Sequence, residues 1–181
     1  MASASELASA METEFGPKWR SGGAAGEDAV AAFESKHRIS LPDGYRAFVA
    51  DAANGAVGPP HYGLVPLGEP AGANSYHIVR PGSLAQPFPL TEFWLWDGTD
   101  DLKNPANREL HHDAHDHGTL PLGTDGDGMD HVLVVTGSAG GQVWMLSGEF
   151  ALPVARDFDA WILRDYYPDA AWLLDFRPHR Q

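Results

Sequence analysis

The stretch TLPLGTDGDGMDHVLVVTGSAGGQVWMLS, residues 119–147, decides the fold that this sequence predicts. It contains the apolar runs TLPLG, DHVLVVTG and GQVWMLS, which are rich in β-branched or aromatic residues and are separated by glycine-rich turns. Runs of this length and punctuation are typical of successive antiparallel strands. We therefore predict an antiparallel meander in this part of the chain.

A short helix is predicted upstream in SLPDGYRAFVADAANG, residues 40–55. Pro42 suits the first helical position, and Asn54-Gly55 accepts the left-handed conformation with which helices commonly end. The apolar residues between them follow at helical spacing and share one face: Tyr45, Phe48, Val49 and Ala52. The pattern predicts a helix that packs this face into a core.

Helical patterns also occur near residues 27–36, 104–118 and 158–165. Helices, then a run of strands, then helices again predict an α+β fold with N-terminal helices, a central twisted and mostly antiparallel (mixed) sheet, and a C-terminal helix. We expect residues 1–24 to form an N-terminal extension that is helical and loosely attached, because chain termini often are. Residues 25–181 are expected to form a single domain.

The chain is strongly acidic, with 12 basic and 25 acidic residues and a formal net charge of −13. An acidic field repels nucleic acid, whose binding relies on clustered Lys and Arg, and it attracts basic proteins. No stretch approaches the roughly 20 apolar residues of a membrane span, so we expect neither nucleic acid nor membrane as a partner. Because the chain has no cysteine and its first residues resemble no signal peptide, we expect a cytoplasmic location.

The densest cluster of potential metal ligands is HHDAHDH, residues 111–117. On a helix, residues four apart share a face, which would place His111 beside His115 and permit a zinc or nickel site. The glutamate of the HExxH motif is absent, and a solvated, charge-mixed surface is the favoured interpretation. We predict no metal and no cofactor, and a metal-binding protein that uses His111, His112, His115 and His117 is an alternative.

Two glycine-rich stretches are predicted to be turns between strands. GTDGDGMD, residues 123–130, spaces three aspartates around glycines, but its glycine and its last ligand do not match an EF-hand loop. GSAGG, residues 137–141, lacks the glycine that a nucleophile elbow needs two residues before Ser138. We find no convincing catalytic pair and predict that the chain is not an enzyme.

Several short motifs in this sequence follow one another in a characteristic order: Leu41-Pro42, Tyr45, Phe48, Asn54-Gly55, Gly63-Leu64, LPLG ending at Gly123, HVLVVTG, GQVW with Val143 and Trp144, and FDAWI. In this order they resemble the SUKH superfamily, which includes yeast cell-wall-synthesis regulators and many bacterial toxin-immunity proteins. The resemblance covers roughly residues 27–166. It implies an α+β fold with N-terminal helices and a twisted mixed sheet, in which the Pro42–Asn54 helix is a packing element and Asn54-Gly55 turns the chain into the first strand.

The resemblance implies a non-catalytic binding protein, and we expect an immunity protein that neutralises a cognate, basic toxin domain by direct contact. A regulatory or scaffold module is the alternative, and the oligomeric state is left open. Residues of about 70–118 match the superfamily least, and loops on a rigid scaffold commonly carry function. Aromatic anchors beside carboxylates suit a basic partner, so the predicted partner-binding set is Trp94, Trp96, Asp97, Asp100, Asp101, Asp113 and Asp116.

Overall fold

The computed structural model describes residues 3–58, 61–71, 77, 79–96 and 101–175. The helices are α1 (Ala4–Phe15), α2 (Glu27–His37), α3 (Asp43–Asp51), α4 (Pro105–Asp116), α5 (Phe158–Ile162) and α6 (Pro168–Asp175). The strands are β1 (Arg20–Ser21), β2 (Ala56–Val57), β3 (Gly63–Leu64), β4 (Trp94–Leu95), β5 (Thr119–Gly126), β6 (Met129–Val134), β7 (Val143–Leu146) and β8 (Phe150–Ala155). None of the described helices is long and apolar enough to span a bilayer.

The strands form two antiparallel sheets. The larger has the order β4-β8-β7-β6-β5, and the smaller has the order β1-β2-β3. The arrangement confirms the predicted α+β fold. The predicted meander is present as β5, β6 and β7, and the structure extends it by β8, which sequence analysis did not predict.

Both faces of the larger sheet are buried. On β6, Leu133 belongs to a core cluster that also contains residues of α1, α3 and α5, such as Met11, Phe48 and Phe158. The alternate residue Val132 belongs to a second cluster beneath α4, with Trp144 and Ala114. Because side chains alternate across a strand, apolar residues at successive positions require helices on both sides of the sheet.

The helix α3 starts after Pro42 and ends at Asp51, three residues before Asn54. Its apolar face is buried as predicted, with Tyr45 and Phe48 against Phe158 at ring-centroid distances of 5.1 and 5.2 Å. Asn54 does not end the helix; its Oδ1 accepts a hydrogen bond of 2.8 Å from the Leu67 amide. The residue pair Asn54-Gly55 therefore organises the chain around β2 rather than the helix end itself.

The N-terminal segment is more firmly packed than expected. The helix α1 has a complete capping box between Ser3 and Glu6, and it buries Leu7 and Met11 in the core cluster. The Leu41 amide and the Arg46 guanidinium both donate to the Glu34 carboxylate, and these hydrogen bonds hold α2 against α3. Burial of Leu7 and Met11 does not fit the loose attachment that we expected, whereas the division of the chain at residue 24 stays a prediction.

The smaller sheet meets the larger one where β3 passes β5. The Val65 amide donates to the Leu122 carbonyl over 2.7 Å, so the chain after β3 covers the β5 edge. A Cβ atom added at Gly123 would lie 2.9 Å from the Gly63 carbonyl oxygen, which is closer than side-chain carbons approach backbone oxygens. Gly123 thus permits the close approach of two backbones.

We expect Gly123→Ala to lower the free energy of unfolding by about 1–3 kcal/mol, because the added methyl group would force the two backbones apart. Gly148→Ala is the matched control, since no atom lies within 4 Å of its added Cβ. Urea denaturation of both variants measures the difference. Equal stability of the two variants would contradict the close packing of β3 on β5.

Candidate functional site

Within the part of the chain that the structure describes, one edge of the larger sheet is left unpaired. Helices cover both faces of the central strands β6 and β7, and the chain around β3 covers the β5 edge, whereas β4 lies at the opposite end of the strand order. In the described residues, no strand pairs with the outer side of β4. The Trp96 amide donates inward to Glu149 over 2.7 Å, so by alternation the amides of Phe93 and Leu95 point outward. Unpaired amides on an edge strand are a ready template for a partner.

The side chains of β4 and its neighbours divide between a buried and an exposed side. Trp96 is only 2% exposed and belongs to the cluster beneath α4, where its ring meets His111 at a centroid distance of 4.6 Å. Trp94 is half-buried against the same cluster. Phe93 and Leu95, on the other side, are 51% and 58% exposed. The aromatic pair that we predicted as a contact is therefore turned inward, and Trp96 packs in the core instead of facing a partner.

Of the predicted acidic residues, the structure describes Asp101, Asp113 and Asp116. Asp97 and Asp100 lie outside the described residues. Asp101 is half-buried and accepts a hydrogen bond from the Asn107 amide group over 3.2 Å. Asp113 and Asp116 lie on α4, and Asp116 forms an ion pair with Arg80. Among the described residues, Glu92 and Glu149 carry exposed carboxylates next to β4.

The histidines of α4 act in packing more than as a ligand group. His115 is buried, with its two ring nitrogens 2.8 and 3.0 Å from the carbonyl oxygens of His111 and Ser147. Burial lowers the pKa of His115 and also that of His111. His112 is exposed and His117 is half-buried. Among the described residues, these histidines do not form a group whose ligand atoms converge, so the geometry gives the metal-binding alternative at 111–117 no support.

A different cluster, which no sequence pattern indicated, consists of His61, Asp125 and His131. Asp125, near the end of β5, has one carboxylate oxygen 2.8 Å from His61 Nδ1 and the other 3.1 Å from His131 Nε2. His131 on β6 is fully buried, and the His61 and His131 rings lie 4.0 Å apart. The cluster joins the turn before β3 to the sheet.

Two further side chains fix the protons of this cluster. The indole N–H of Trp161 donates to His131 Nδ1 over 3.2 Å. An indole nitrogen can only donate, so His131 is neutral and carries its proton on Nε2, from which it donates to Asp125. His61 donates from Nδ1 to the same carboxylate, and in its neutral form it accepts from the Tyr166 hydroxyl at Nε2, 2.7 Å away. The result is a hydrogen-bonded chain from α5 through the sheet to Tyr166.

The hydrogen-bonding pattern of the cluster disfavours a bound metal ion. Its potential ligand atoms lie within 4.8 Å of one another, close enough for one ion. A metal ion on Nε2 would move the proton of His131 to Nδ1, because a metal-bound histidine normally donates from its other nitrogen. That proton would face the Trp161 N–H, and two donors would then oppose each other. We conclude that this arrangement serves to hold the surrounding elements together.

Comparison with known proteins places the chain in a defined group. The family model described as SMI1 / KNR4 family (SUKH-1) matches residues 24–164, well over half of the chain. No curated protein and no solved structure matches the chain. The match agrees with the resemblance seen in the sequence motifs.

The Asp125 carboxylate should leave a signature in the pH dependence of stability. Burial alone would raise its pKa, but the hydrogen bonds from His131 and His61 outweigh burial and hold the pKa below its ordinary value. The unfolded chain therefore binds this proton more readily, so the stabilisation is complete above the unfolded pKa of about 3.9 and is lost as pH falls through lower values.

We expect the stability difference between the wild type and Asp125→Asn to be constant above about pH 5 and to shrink below about pH 4. Urea denaturation between these values and pH 2 measures it. Asp127→Asn, on the exposed turn beside the cluster, is the matched control for the loss of one charge. A stability difference that stayed constant down to pH 2 would contradict the two histidine contacts.

Proposed function

The chain belongs to the SMI1/KNR4 (SUKH-1) family, and we propose that it acts there as an immunity protein that binds a basic toxin domain directly and blocks it. The SUKH family includes toxin-immunity proteins. Neutralisation by contact needs a surface but no reaction. The observation that carries the proposal is the open β4 edge, where exposed apolar side chains stand beside carboxylates.

The apolar part of this surface suits a protein partner. Phe93 and Leu95 expose large side chains from neighbouring positions of one strand, on a scaffold that is buried on both faces. Burying an exposed side chain of this size contributes about 1.5–3 kcal/mol. The outward amides of the same residues could add a strand from the partner, so that main-chain bonds give affinity and the two side chains give specificity.

Charge indicates the kind of partner. Glu92 and Glu149 are exposed beside β4, and the whole chain carries a net charge of −13. Asp97 and Asp100 lie outside the described residues, and with Asp101 they remain proposed contacts because they follow β4 in sequence. Such a field accelerates the encounter with a basic protein and weakens with ionic strength, because salt screens exposed charges.

The β4 surface can be tested by affinity capture from a lysate of the source organism, with untagged protein on the support and partners identified by mass spectrometry. We expect one stoichiometric basic protein whose activity is blocked on binding. The double variant Phe93→Ser with Leu95→Ser should bind it roughly 30-fold more weakly, equivalent to about 2 kcal/mol, because the central anchors of an interface dominate its affinity. Association should also slow as salt rises.

Leu163→Ser is the matched control, since Leu163 is also an exposed apolar residue but lies beyond α5. Equal binding by the double variant and this control would place the interface elsewhere on the chain. Capture of several cellular proteins whose activities are not blocked would refute neutralisation and favour the regulatory module.

A further inference from the structure

A strained turn precedes β3 and presents an aromatic side chain to solvent. His61 and Tyr62 both have positive φ values, 55° and 60°. Consecutive left-handed residues other than glycine are uncommon, and such strain persists only where the surrounding structure enforces it. Tyr62 is nevertheless 74% exposed, the highest value among the exposed large apolar residues of the described chain. The strained backbone at His61 and Tyr62 therefore does not serve to bury the Tyr62 ring.

The His61 side chain explains how the strain is maintained. Its two ring nitrogens are held by Asp125 and Tyr166, and its ring stacks on Trp161 at a centroid distance of 5.2 Å. The His61 carbonyl accepts from the Thr124 amide over 3.3 Å. These contacts fix His61 from several directions, and Tyr62 follows from it with its ring pointing away from the core. The histidine cluster is thus a support for the position of Tyr62.

The exposed ring lies beside the β5–β6 turn, where the sequence includes Asp125 and Asp127. The Tyr62 ring edge is 3.7 Å from the position that a Cβ atom would take on Gly126, so the ring lies against the β5–β6 turn. The next residue, Asp127, is exposed at the tip of that turn. Asp125 keeps its charge because the hydrogen bonds from the histidines favour the ionised form. Arg20 is a cation in the neighbouring sheet, but it lies two strands from Gly63, opposite Val57.

We propose that Tyr62 and Asp127 form a second contact site, which binds an arginine side chain of a basic polypeptide. A guanidinium group stacks on an aromatic face and donates to a carboxylate at its edge, so one side chain satisfies both residues. The inference rests on the proposed function for the identity of the natural partner. The contact itself requires only an accessible arginine.

The test uses a blocked (Gly-Arg)4 peptide as the probe and follows the amide and ring signals of the full chain by NMR at low salt. We expect saturable shifts at Tyr62 and Gly126. Tyr62→Leu should weaken binding of the peptide at least tenfold, whereas Tyr62→Phe, which keeps the ring, should bind nearly as well as the wild type. Asp127→Asn should weaken binding by a smaller factor. Tyr62 and Asp127 are both on the surface, so all three variants should fold.

Equal binding of the peptide by the wild type and Tyr62→Leu, or shifts that spread over the acidic surface without those at Tyr62, would overturn the proposal. A (Gly-Lys)4 peptide of equal charge is the control for simple attraction, and we expect it to bind several-fold more weakly because an ammonium group does not stack. This result does not depend on capture of a toxin at the β4 edge, so a failure here leaves the proposed function standing, and a failed capture leaves this contact standing.

Discussion

Burial on both faces of β6 and β7 is the constraint on which the rest of the structure depends. Every residue from Asp130 to Val134 is buried, and so is every residue of β7. A sheet of this kind must carry helices on both sides, which here are α1, α3 and α5 on one side and α4 on the other. Contact surfaces are then left at the edges and turns. Because the chain near β3 closes one edge, β4 is the unpaired edge of this sheet within the described residues.

The same fold uses polar residues to hold its turns in place. Asp125 lies at the end of β5, and its carboxylate accepts from two histidines that come from separate elements. Trp161 extends this chain into α5 by donating to His131. Groups buried in this way stabilise a structure only when each finds a partner, so the residues depend on one another. The consequence is a rigid turn at His61–Tyr62, on which an exposed aromatic ring is carried.

Sequence periodicity predicted the elements that have a long apolar pattern. It missed features whose burial depends on contacts with distant parts of the chain. The strands β5, β6 and β7 follow directly from apolar runs separated by glycine-rich turns, and the apolar face of α3 from helical spacing. Trp94 and Trp96 are two residues apart at β4 and therefore share a side of the sheet, but the sequence could not show that α4 covers that side. The 12-residue helix α1 buries Leu7 and Met11 in the core cluster, although we expected the N-terminal segment to be loosely attached.

The histidine cluster could not be predicted for a related reason. His61 and Asp125 are 64 positions apart, and only the passage of β3 beside β5 brings them together. Asp125 lies in a stretch whose composition is that of a turn, and it is indeed next to one. The positive φ angles of His61 and Tyr62 could not be predicted from the local sequence, because neither residue is glycine or asparagine. Long-range contacts of this kind depend on strand pairing, which a single sequence leaves open.

Amide hydrogen exchange at Leu95 tests most directly whether a partner binds at the β4 edge. It is measured by NMR in the free protein and in the complex with the captured partner. The Leu95 amide points away from β8 and is unpaired among the described residues, so it should exchange quickly in the free protein. If the partner binds at the β4 edge, this exchange should slow by at least tenfold in the complex. Unchanged exchange at Leu95 in a fully formed complex would contradict binding of the partner at the β4 edge.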